Sequence, residues 1–260
     1  MRPDIIDLQT FYGTRQGQLV RRLLGRQIRV LWPDLSGMRV LGMGYAVPFL
    51  GPLTEAAERA CVIMPPAQGV TAWPPDRPNQ VAMASEDELP LADRSIDRAL
   101  LVHALESAEQ VQRVLRELWR VLADGGQALI VVPNRRGLWC LSEATPFGQG
   151  RPYSASQLKQ VLSGNLFAPQ RTARALYVPP GRSRLLLRTA FAWERIGLRW
   201  AKRFSGVVMM TAEKQIYAAP AEPALKRRRM PGYVPVPRAV AAAERVSDQP
   251  RRRGGRASAG

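Results

Sequence analysis

The fold of this chain is decided by residues 96–132, which read IDRALLVHALESAEQVQRVLRELWRVLADGGQALIVV. Short, mainly apolar runs at 96–102 and 127–132 have the length of β-strands, and both faces of the second run are apolar, as in a central strand covered on each side. Between them, apolar residues recur at helical spacing, at Val111, Val114, Leu115, Leu118 and Leu122. A strand, a helix and a further strand in this order predict parallel strands joined by a crossover helix.

The same alternation continues on both sides of this unit. Further strands are predicted at 38–43, 60–64, 81–84, 175–178 and 207–218, and the last of them is expected to be antiparallel. Further helices are predicted at 15–31, 53–59, 156–163 and 184–204. The predicted fold class is therefore α/β, with a mostly parallel sheet and helices on both of its faces.

Length and composition fit one folded domain followed by a tail. The chain has 260 residues, of which 46% are hydrophobic and 23% charged, which is ordinary globular usage. Residues 1–35 are predicted to form an N-terminal helical segment and residues 36–220 the α/β domain. Residues 221–260 are predicted to be a basic disordered tail, because Pro, Ala and Arg dominate there.

The net charge of +17 raises nucleic acid or an anionic membrane surface as a partner. The basic residues are 34 Arg and 4 Lys, however, a skew that GC-rich codons produce without selection for binding. Two interpretations of the tail stay open: a weak contact with nucleic acid, and a solvated appendage without a ligand. The predicted helix at 184–204 mixes apolar residues with Arg, so it either lies on a membrane surface or packs on the sheet.

Several classes of protein are disfavoured. No apolar run reaches the roughly 18 to 20 residues needed to cross a bilayer, and the first residues do not resemble a signal peptide. We therefore expect no transmembrane segment and a cytoplasmic location. Cys61 and Cys140 lie far apart without a CxxC motif, and His103 is the only histidine, so neither a disulfide framework nor a metal site is expected.

The order of these pieces resembles the class I S-adenosylmethionine-dependent methyltransferases, and the type 11 methyltransferase-domain family in particular. Four blocks carry the resemblance: residues 40–46 (VLGMGYA), 88–97 (ELPLADRSID), 101–106 (LVHALE) and 115–126 (LRELWRVLADGG). The resemblance covers roughly residues 36–135. It implies a Rossmann-like sheet whose last strand is antiparallel, and S-adenosylmethionine as the cofactor.

The resemblance also implies a cofactor site at the carboxyl ends of the strands, where glycines let the backbone approach a ligand. The residues at the matching positions are Gly42, Gly44, Ala46, Met64, Ser85, Glu86 and Leu89. The first glycine motif is degenerate, since Gly42 replaces an acidic residue of the family. Met64 stands where the family has the carboxylate that binds the ribose hydroxyls. We expect Gly44, Met64, Glu86 and His103 to surround one nucleoside-sized crevice.

Two further groups of residues are candidates for the reaction itself. By the resemblance, His103 lies beside the transferred methyl group, where a neutral imidazole would accept a proton from the substrate while Glu106 orients it. A histidine that only packs and hydrogen-bonds is the alternative. The loops after the fifth strand are expected to hold substrate or to form a packed lid, and their candidate residues are Asn134, Arg135, Arg136, Trp139, Arg151 and Tyr153.

The function predicted from the sequence is methyl transfer from S-adenosylmethionine to an unidentified acceptor, either small or macromolecular. The alternative is a catalytically inactive relative that binds nucleic acid or a protein partner through its basic surface and tail. A nicotinamide oxidoreductase is disfavoured, because no GxGxxG follows the first strand and no acidic residue ends the second.

Overall fold

The computed structural model describes residues 2–181, 183, 186 and 188–216. Residues 217–260 lie outside the described residues, and so does the predicted basic tail. The helices are α1 (Ile5–Gly13), α2 (Arg15–Leu31), α3 (Val47–Leu50), α4 (Val111–Val121), α5 (Ala155–Ser163) and α6 (Ala190–Trp200). The strands are β1 (Arg39–Gly44), β2 (Arg59–Met64), β3 (Val81–Met83), β4 (Ile96–Val102), β5 (Leu122–Pro133), β6 (Phe167–Ala175) and β7 (Val207–Lys214).

The seven strands form one sheet in the order β3-β2-β1-β4-β5-β7-β6. Strands β3, β2, β1, β4 and β5 are parallel to one another, and β7 runs antiparallel between β5 and β6. The predicted α/β class and the antiparallel last strand are confirmed. Because β1 to β5 all point the same way, their carboxyl ends meet at one edge of the sheet.

Helices cover both faces of the sheet, and the strands alternate between two cores. In β4, Leu100 packs with α1 and α2 on one face, while Leu101 packs with α4 and α5 on the other. Helix α4 turns Val114, Leu115, Leu118 and Val121 inward, as its helical spacing predicts. Apolar residues on both faces of the central strands are what a covered parallel sheet requires.

Most predicted elements are confirmed, and α2 has the predicted boundaries. Two predictions were wrong. The predicted helix at 53–59 is absent, because the turn after β1 continues into α3 and a short 3-10 helix that ends at Leu53. Strand β6 ends at Ala175 instead of starting there, since it is an edge strand with exposed polar residues and no apolar alternation. The predicted helix at 184–204 is confirmed over Ala190–Trp200 and is followed by a 3-10 turn, Lys202–Phe204, while part of its predicted start, at residues 184, 185 and 187, lies outside the described residues.

No described helix is long and apolar enough to span a membrane. Likewise, the described residues contain no cluster of His, Cys, Asp or Glu that would hold a metal ion.

A tight corner between α1 and α2 fixes the N-terminal segment on the sheet. Asp4 caps α1 by accepting from the Ile6 N–H, and Thr14 caps α2 by accepting from the Gly17 N–H. A Cβ atom at Gly17 would lie 2.0 Å from the carbonyl oxygen of Phe11. Only glycine therefore lets the end of α1 approach α2 this closely.

The two glycines of α2 give a matched test of this corner. We expect Gly17→Ala to lower the free energy of unfolding by about 1–3 kcal/mol, because the added methyl group overlaps the α1 backbone. Gly25→Ala meets only the Arg29 side chain, at 3.9 Å. Since alanine favours the helix, Gly25→Ala is expected to raise the stability by up to about 1 kcal/mol. Urea unfolding of both variants measures the difference, and equal effects would show that the corner does not depend on Gly17.

Candidate functional site

The candidate site lies at the edge of the sheet where β1, β2, β3 and β4 end. At this edge Gly44 pairs with Val102 in the parallel register of β1 and β4, and the Tyr45 N–H donates to the Val102 carbonyl at 2.8 Å. Gly44 has φ +68°, and a Cβ atom there would lie 2.5 Å from that same carbonyl oxygen. The turn after β1 therefore needs glycine for its own packing against β4.

The other glycine of the first turn is also enclosed by protein. A Cβ atom at Gly42 would lie 2.7 Å from the Leu50 side chain and 3.2 Å from Val62. Where the resembling family has an acidic side chain, α3 packs directly on the strand. Ala46 is fully buried in the same region. Close packing therefore explains the residue types of this degenerate turn.

The N-terminal segment, residues 2–13, crosses the ends of these strands. The Arg2 guanidinium forms a bidentate ion pair with the Glu86 carboxylate, through Nη1 at 2.8 Å and through Nη2. It also donates to the Ser107 carbonyl, and the Ile5 N–H donates to the Gln68 carbonyl at 2.7 Å. Arg2 and Glu86 are nearly buried, so this pair gains more from its charges than an exposed pair would.

A buried chain of three polar side chains joins α1 to the end of β4. The Tyr12 hydroxyl lies 2.9 Å from His103 Nε2, and His103 Nδ1 lies 3.2 Å from Glu106 Oε1. An ionised carboxylate has no hydrogen to donate, so Glu106 accepts from Nδ1–H. In a neutral imidazole this leaves Nε2 to accept from the Tyr12 hydroxyl. His103 has φ +53°, a left-handed conformation that is uncommon outside glycine and often found at functional sites.

Aromatic rings enclose this chain. Tyr12 packs against Tyr45 and Phe49, and the His103 ring lies 4.8 Å from the ring of Phe147. Burial raises the pKa of Tyr12 well above its usual range, and the nearby Tyr45 and Glu106 add to this effect. Burial likewise raises the pKa of Tyr45. Both tyrosines therefore stay neutral at physiological pH, and Tyr12 remains a hydrogen-bond donor to the imidazole.

A cleft of about 600 Å³ opens beside the N-terminal segment. It is lined by residues that follow β2, β3 and β4, together with Arg2, Gly150 and Arg151. Two residues that line it each carry a side-chain oxygen that is buried and has no hydrogen-bond partner among the described residues: Glu106 Oε2 and Ser107 Oγ. Because a buried acceptor without a partner costs stability, such atoms commonly mark a place for a ligand or an ordered water.

This cleft is not lined by most of the residues that the sequence analysis expected around a nucleoside-sized crevice. Of the four residues expected to surround it, only Glu86 lines the cleft. Gly44 is enclosed against β4, while Met64 and His103 are fully buried. None of these three residues lines the cleft, and at His103 the reason is α1, whose Tyr12 hydroxyl reaches the imidazole. The sequence analysis predicted a helical N-terminal segment but not its position at this edge of the sheet.

The remaining cofactor candidates lie near the cleft. Ser85 is exposed and lines it. Leu89 is buried, and its backbone is fixed by α4: its N–H donates to Glu117, and its carbonyl accepts from Arg120. These contacts hold the loop after β3 against the helix.

The candidate substrate residues divide into two groups. The Asn134 amide donates to the carbonyls of Arg203 and Ser205, and the Trp139 indole N–H donates to the Val178 carbonyl at 2.7 Å, so both are buried structural contacts. The side chains that remain accessible are Arg135, Arg136 and Arg151, which are exposed, and Tyr153, which is half-buried. Arg151 alone among them lines the cleft.

Sequence reasoning missed Arg2 and Tyr12, the two side chains that the N-terminal segment brings to the site. A signal for them exists. Asp4 is a standard helix N-cap residue, and Leu8, Phe11 and Tyr12 follow at the spacing of one helical face. The pairing of Arg2 with Glu86 has no such signal, since the two residues are far apart in sequence.

The comparisons with known proteins agree with this fold. Residues 52–130 match the family model described as a methyltransferase domain. The fold matches a putative methyltransferase of Haloferax volcanii, solved in complex with the Trm112 methyltransferase activator, with a TM-score of 0.56, 14% identity and coverage of 82% of this chain and 98% of the other. The chain therefore has a methyltransferase-like fold, and residues 52–130 are similar to a methyltransferase-domain family. A methyltransferase of Archaeoglobus fulgidus shares the methyltransferase fold at a TM-score of 0.52 and 18% identity, covering 79% and 97% of the two chains.

Two curated relatives match part of this chain. The uncharacterized protein YafS of Escherichia coli is 32% identical over 114 residues, which are 44% of this chain and 43% of YafS. The ubiquinone/menaquinone biosynthesis C-methyltransferase UbiE of Rubrivivax gelatinosus is 26% identical over 137 residues, or 52% and 51% of the two chains. The chain spans about half the length of the curated relatives it matches.

S-adenosylmethionine is the cofactor that this methyltransferase family implies. The residues that line the cleft suit the adenosine portion of S-adenosylmethionine, because the side-chain oxygens of Glu106, Ser107 and Glu86 can accept hydrogen bonds from its hydroxyl and amino groups. In the arrangement described, Arg2 engages Glu86, and Tyr12 and Tyr45 fill the space above the Gly44 turn. The cleft is thus separate from the buried His103.

Since His103 is the only histidine, its ring nitrogens can be observed by NMR without overlap. We expect ¹⁵N shifts of the Nδ1–H tautomer in the unmodified protein. Tyr12→Phe removes the hydroxyl and leaves Nε2 without its donor, so the free energy of unfolding should fall by about 1–3 kcal/mol and the Nε2 resonance should move.

Tyr153→Phe is the control for this measurement, because it removes the hydroxyl of a half-buried tyrosine that forms no hydrogen bond with His103 among the described residues. It should leave the imidazole resonances unchanged. An Nε2–H tautomer in the unmodified protein would contradict the proposed direction of the hydrogen bonds.

Proposed function

We propose that the protein transfers a methyl group from S-adenosylmethionine to an acceptor, and that the cleft beside Arg2 is where the cofactor's adenosine portion binds. The observation that carries this proposal is a cleft at the carboxyl ends of parallel strands whose lining residues Glu106 and Ser107 each hold a buried side-chain oxygen with no partner among the described residues. Ligands of open α/β sheets bind at this edge.

Glu106 takes over part of the work that the family assigns to the end of β2. Met64 offers no charged acceptor there, whereas Glu106 has one carboxylate oxygen on His103 and the other without a partner. A hydrogen bond to a charged group contributes about 1.5–3 kcal/mol. Glu106 is therefore proposed both to orient the imidazole and to accept a hydroxyl of the bound nucleoside.

S-adenosylmethionine, when bound, supplies an electrophilic methyl group. The protein's part is to align the acceptor, exclude water and receive the acceptor's proton. His103 Nε2 is the proposed proton acceptor, with Glu106 holding Nδ1–H. Because the Tyr12 hydroxyl engages Nε2 in the arrangement described, an acceptor reaches this nitrogen only when α1 moves aside.

The acceptor is proposed to carry an anionic or aromatic group. Arg135, Arg136 and Arg151 are exposed around the loops that follow β5, and a guanidinium binds carboxylate or phosphate in a bidentate manner. Tyr153, half-buried in the same loops, offers a planar ring for stacking.

Isothermal titration with S-adenosylmethionine and S-adenosylhomocysteine tests the proposal. We expect binding by the full chain, and Glu106→Gln should weaken it about tenfold, since a tenfold change corresponds to about 1.4 kcal/mol. Glu88→Gln makes the same change of charge on an exposed residue outside the cleft and should leave the affinity unchanged. No binding at millimolar ligand would remove the methyltransferase proposal and leave the inactive, partner-binding alternative.

The ion pair between Arg2 and Glu86 gives a second prediction. Both Glu86 oxygens accept from Arg2, so a ligand that uses this carboxylate has to displace the guanidinium. Arg2→Ala is expected to tighten S-adenosylhomocysteine binding several-fold in the same titration. Arg15→Ala, which removes an exposed guanidinium at the start of α2, is the control and should have no effect. Weaker binding by Arg2→Ala would mean that Arg2 itself contacts the ligand.

A further inference from the structure

Helix α6 contacts the rest of the protein through a narrow strip of small or polar residues. Ala190, Glu194 and Gly197, spaced along one side of the helix, are its buried positions. The Glu194 carboxylate accepts from the Tyr177 N–H at 2.6 Å. A Cβ atom at Gly197 would lie 2.2 Å from the Tyr177 ring, so glycine allows the helix backbone to lie directly on that ring. None of the large apolar side chains of α6 is therefore among its buried positions.

Those large apolar side chains point away from the protein. The exposed set on α6 and the 3-10 turn after it is Phe191, Trp193, Ile196, Leu198, Trp200 and Phe204. Trp200 is 80% exposed and Phe204 is 63% exposed. The other four tryptophans and the other four phenylalanines of the chain are buried or half-buried. A concentration of exposed aromatic residues in one short segment marks an interaction surface.

The charges around these side chains have one sign. Arg188, Arg195, Arg199 and Arg203 are exposed. None of the four forms an ion pair with another described residue. The only acidic residue between 188 and 204 is Glu194, and it faces inward. The surface of α6 is thus apolar and cationic without compensating acids.

We propose that α6 and the 3-10 turn Lys202–Phe204 form a membrane-interface surface that binds anionic lipid. Helices that lie in the interface combine Trp, Phe and Leu with Lys or Arg, and their binding depends on buried apolar area together with attraction to anionic headgroups. The arginines match those headgroups in charge. Tryptophan is the side chain that favours the headgroup level of a bilayer.

Other occupants fit the same surface less well. A second copy would bring like charges together, which costs free energy at an interface. Nucleic acid would pair with the arginines and stack on the tryptophans, but it would leave Ile196 and Leu198 without an apolar partner. Only the lipid interface uses both the aliphatic residues and the arginines.

The surface is firmly connected to the edge of the sheet that holds the candidate site. Asn134, directly after β5, donates to the carbonyls of Arg203 and Ser205. A Cβ atom at Gly206 would lie 2.4 Å from the Trp139 ring, so the start of β7 also packs closely on this loop. A membrane bound by α6 therefore lies next to the loop after β5.

Co-sedimentation of the full chain with vesicles tests the proposal. Vesicles of phosphatidylcholine with about 30% phosphatidylglycerol imitate an anionic membrane surface. They should bind the protein, and vesicles of pure phosphatidylcholine should bind it more weakly. We expect the triple variant Phe191→Ser, Ile196→Ser, Trp200→Ser to lower the partition coefficient at least tenfold. All three side chains are exposed, so the variant should keep the circular dichroism spectrum and melting temperature of the unmodified protein.

Two matched controls separate this surface from the rest of the chain. Val30→Ser with Leu141→Ser removes exposed apolar residues elsewhere and should not change binding. Arg195→Gln with Arg199→Gln should reduce the dependence on anionic lipid, whereas Arg22→Gln with Arg29→Gln, on the exposed side of α2, should not.

Three outcomes would overturn the proposal. In the first, the unmodified protein does not bind the anionic vesicles. In the second, the triple variant binds them as tightly as the unmodified protein, which would assign the binding to charge elsewhere in the chain. In the third, the triple variant loses binding to a single-stranded RNA or loses a dimer measured by sedimentation, while vesicle binding stays the same. None of these outcomes depends on methyltransferase activity, so failure here leaves the proposed function intact.

Discussion

The parallel pairing of β1 with β4 at Gly44 and Val102 is the constraint on which the candidate site depends. The chain leaves β1 through a left-handed residue, and the next N–H continues the hydrogen bonding to β4. This turn leads into α3, and β4 leads into His103 and Glu106. Any side chain at Gly44 would push the two strand ends apart, and the residues after both strands would move with them.

A second constraint comes from the N-terminal segment, which supplies a polar contact at each end. Arg2 neutralises Glu86 beside the cleft, and Tyr12 satisfies His103 where water is excluded. Both contacts involve groups that would be costly to bury alone, so each partly depends on the other being in place. The accessibility of Glu86 and His103 consequently depends on the position of the N-terminal segment, because Arg2 and Tyr12 of this segment occupy their hydrogen-bonding atoms.

The sequence predicted the sheet well because its signals are local. The apolar runs of β4 and β5, the spacing in α4 and the boundaries of α2 each follow from a window of a few residues. The site was predicted less well because it depends on contacts between distant residues. His103 and Glu106 were placed next to each other correctly, but nothing local indicates that Tyr12 covers them or that Arg2 engages Glu86. Edge strand β6 was missed since half-exposed, polar strands carry little apolar periodicity.

The ion pair of Arg2 also matters for handling the protein in the laboratory. Since Arg2 is nearly buried against Glu86, a purification tag fused ahead of it would begin inside a crowded region rather than in open solvent. Such a fusion would have to bend sharply away or pull the guanidinium out, and ligand measurements on it would report the altered opening.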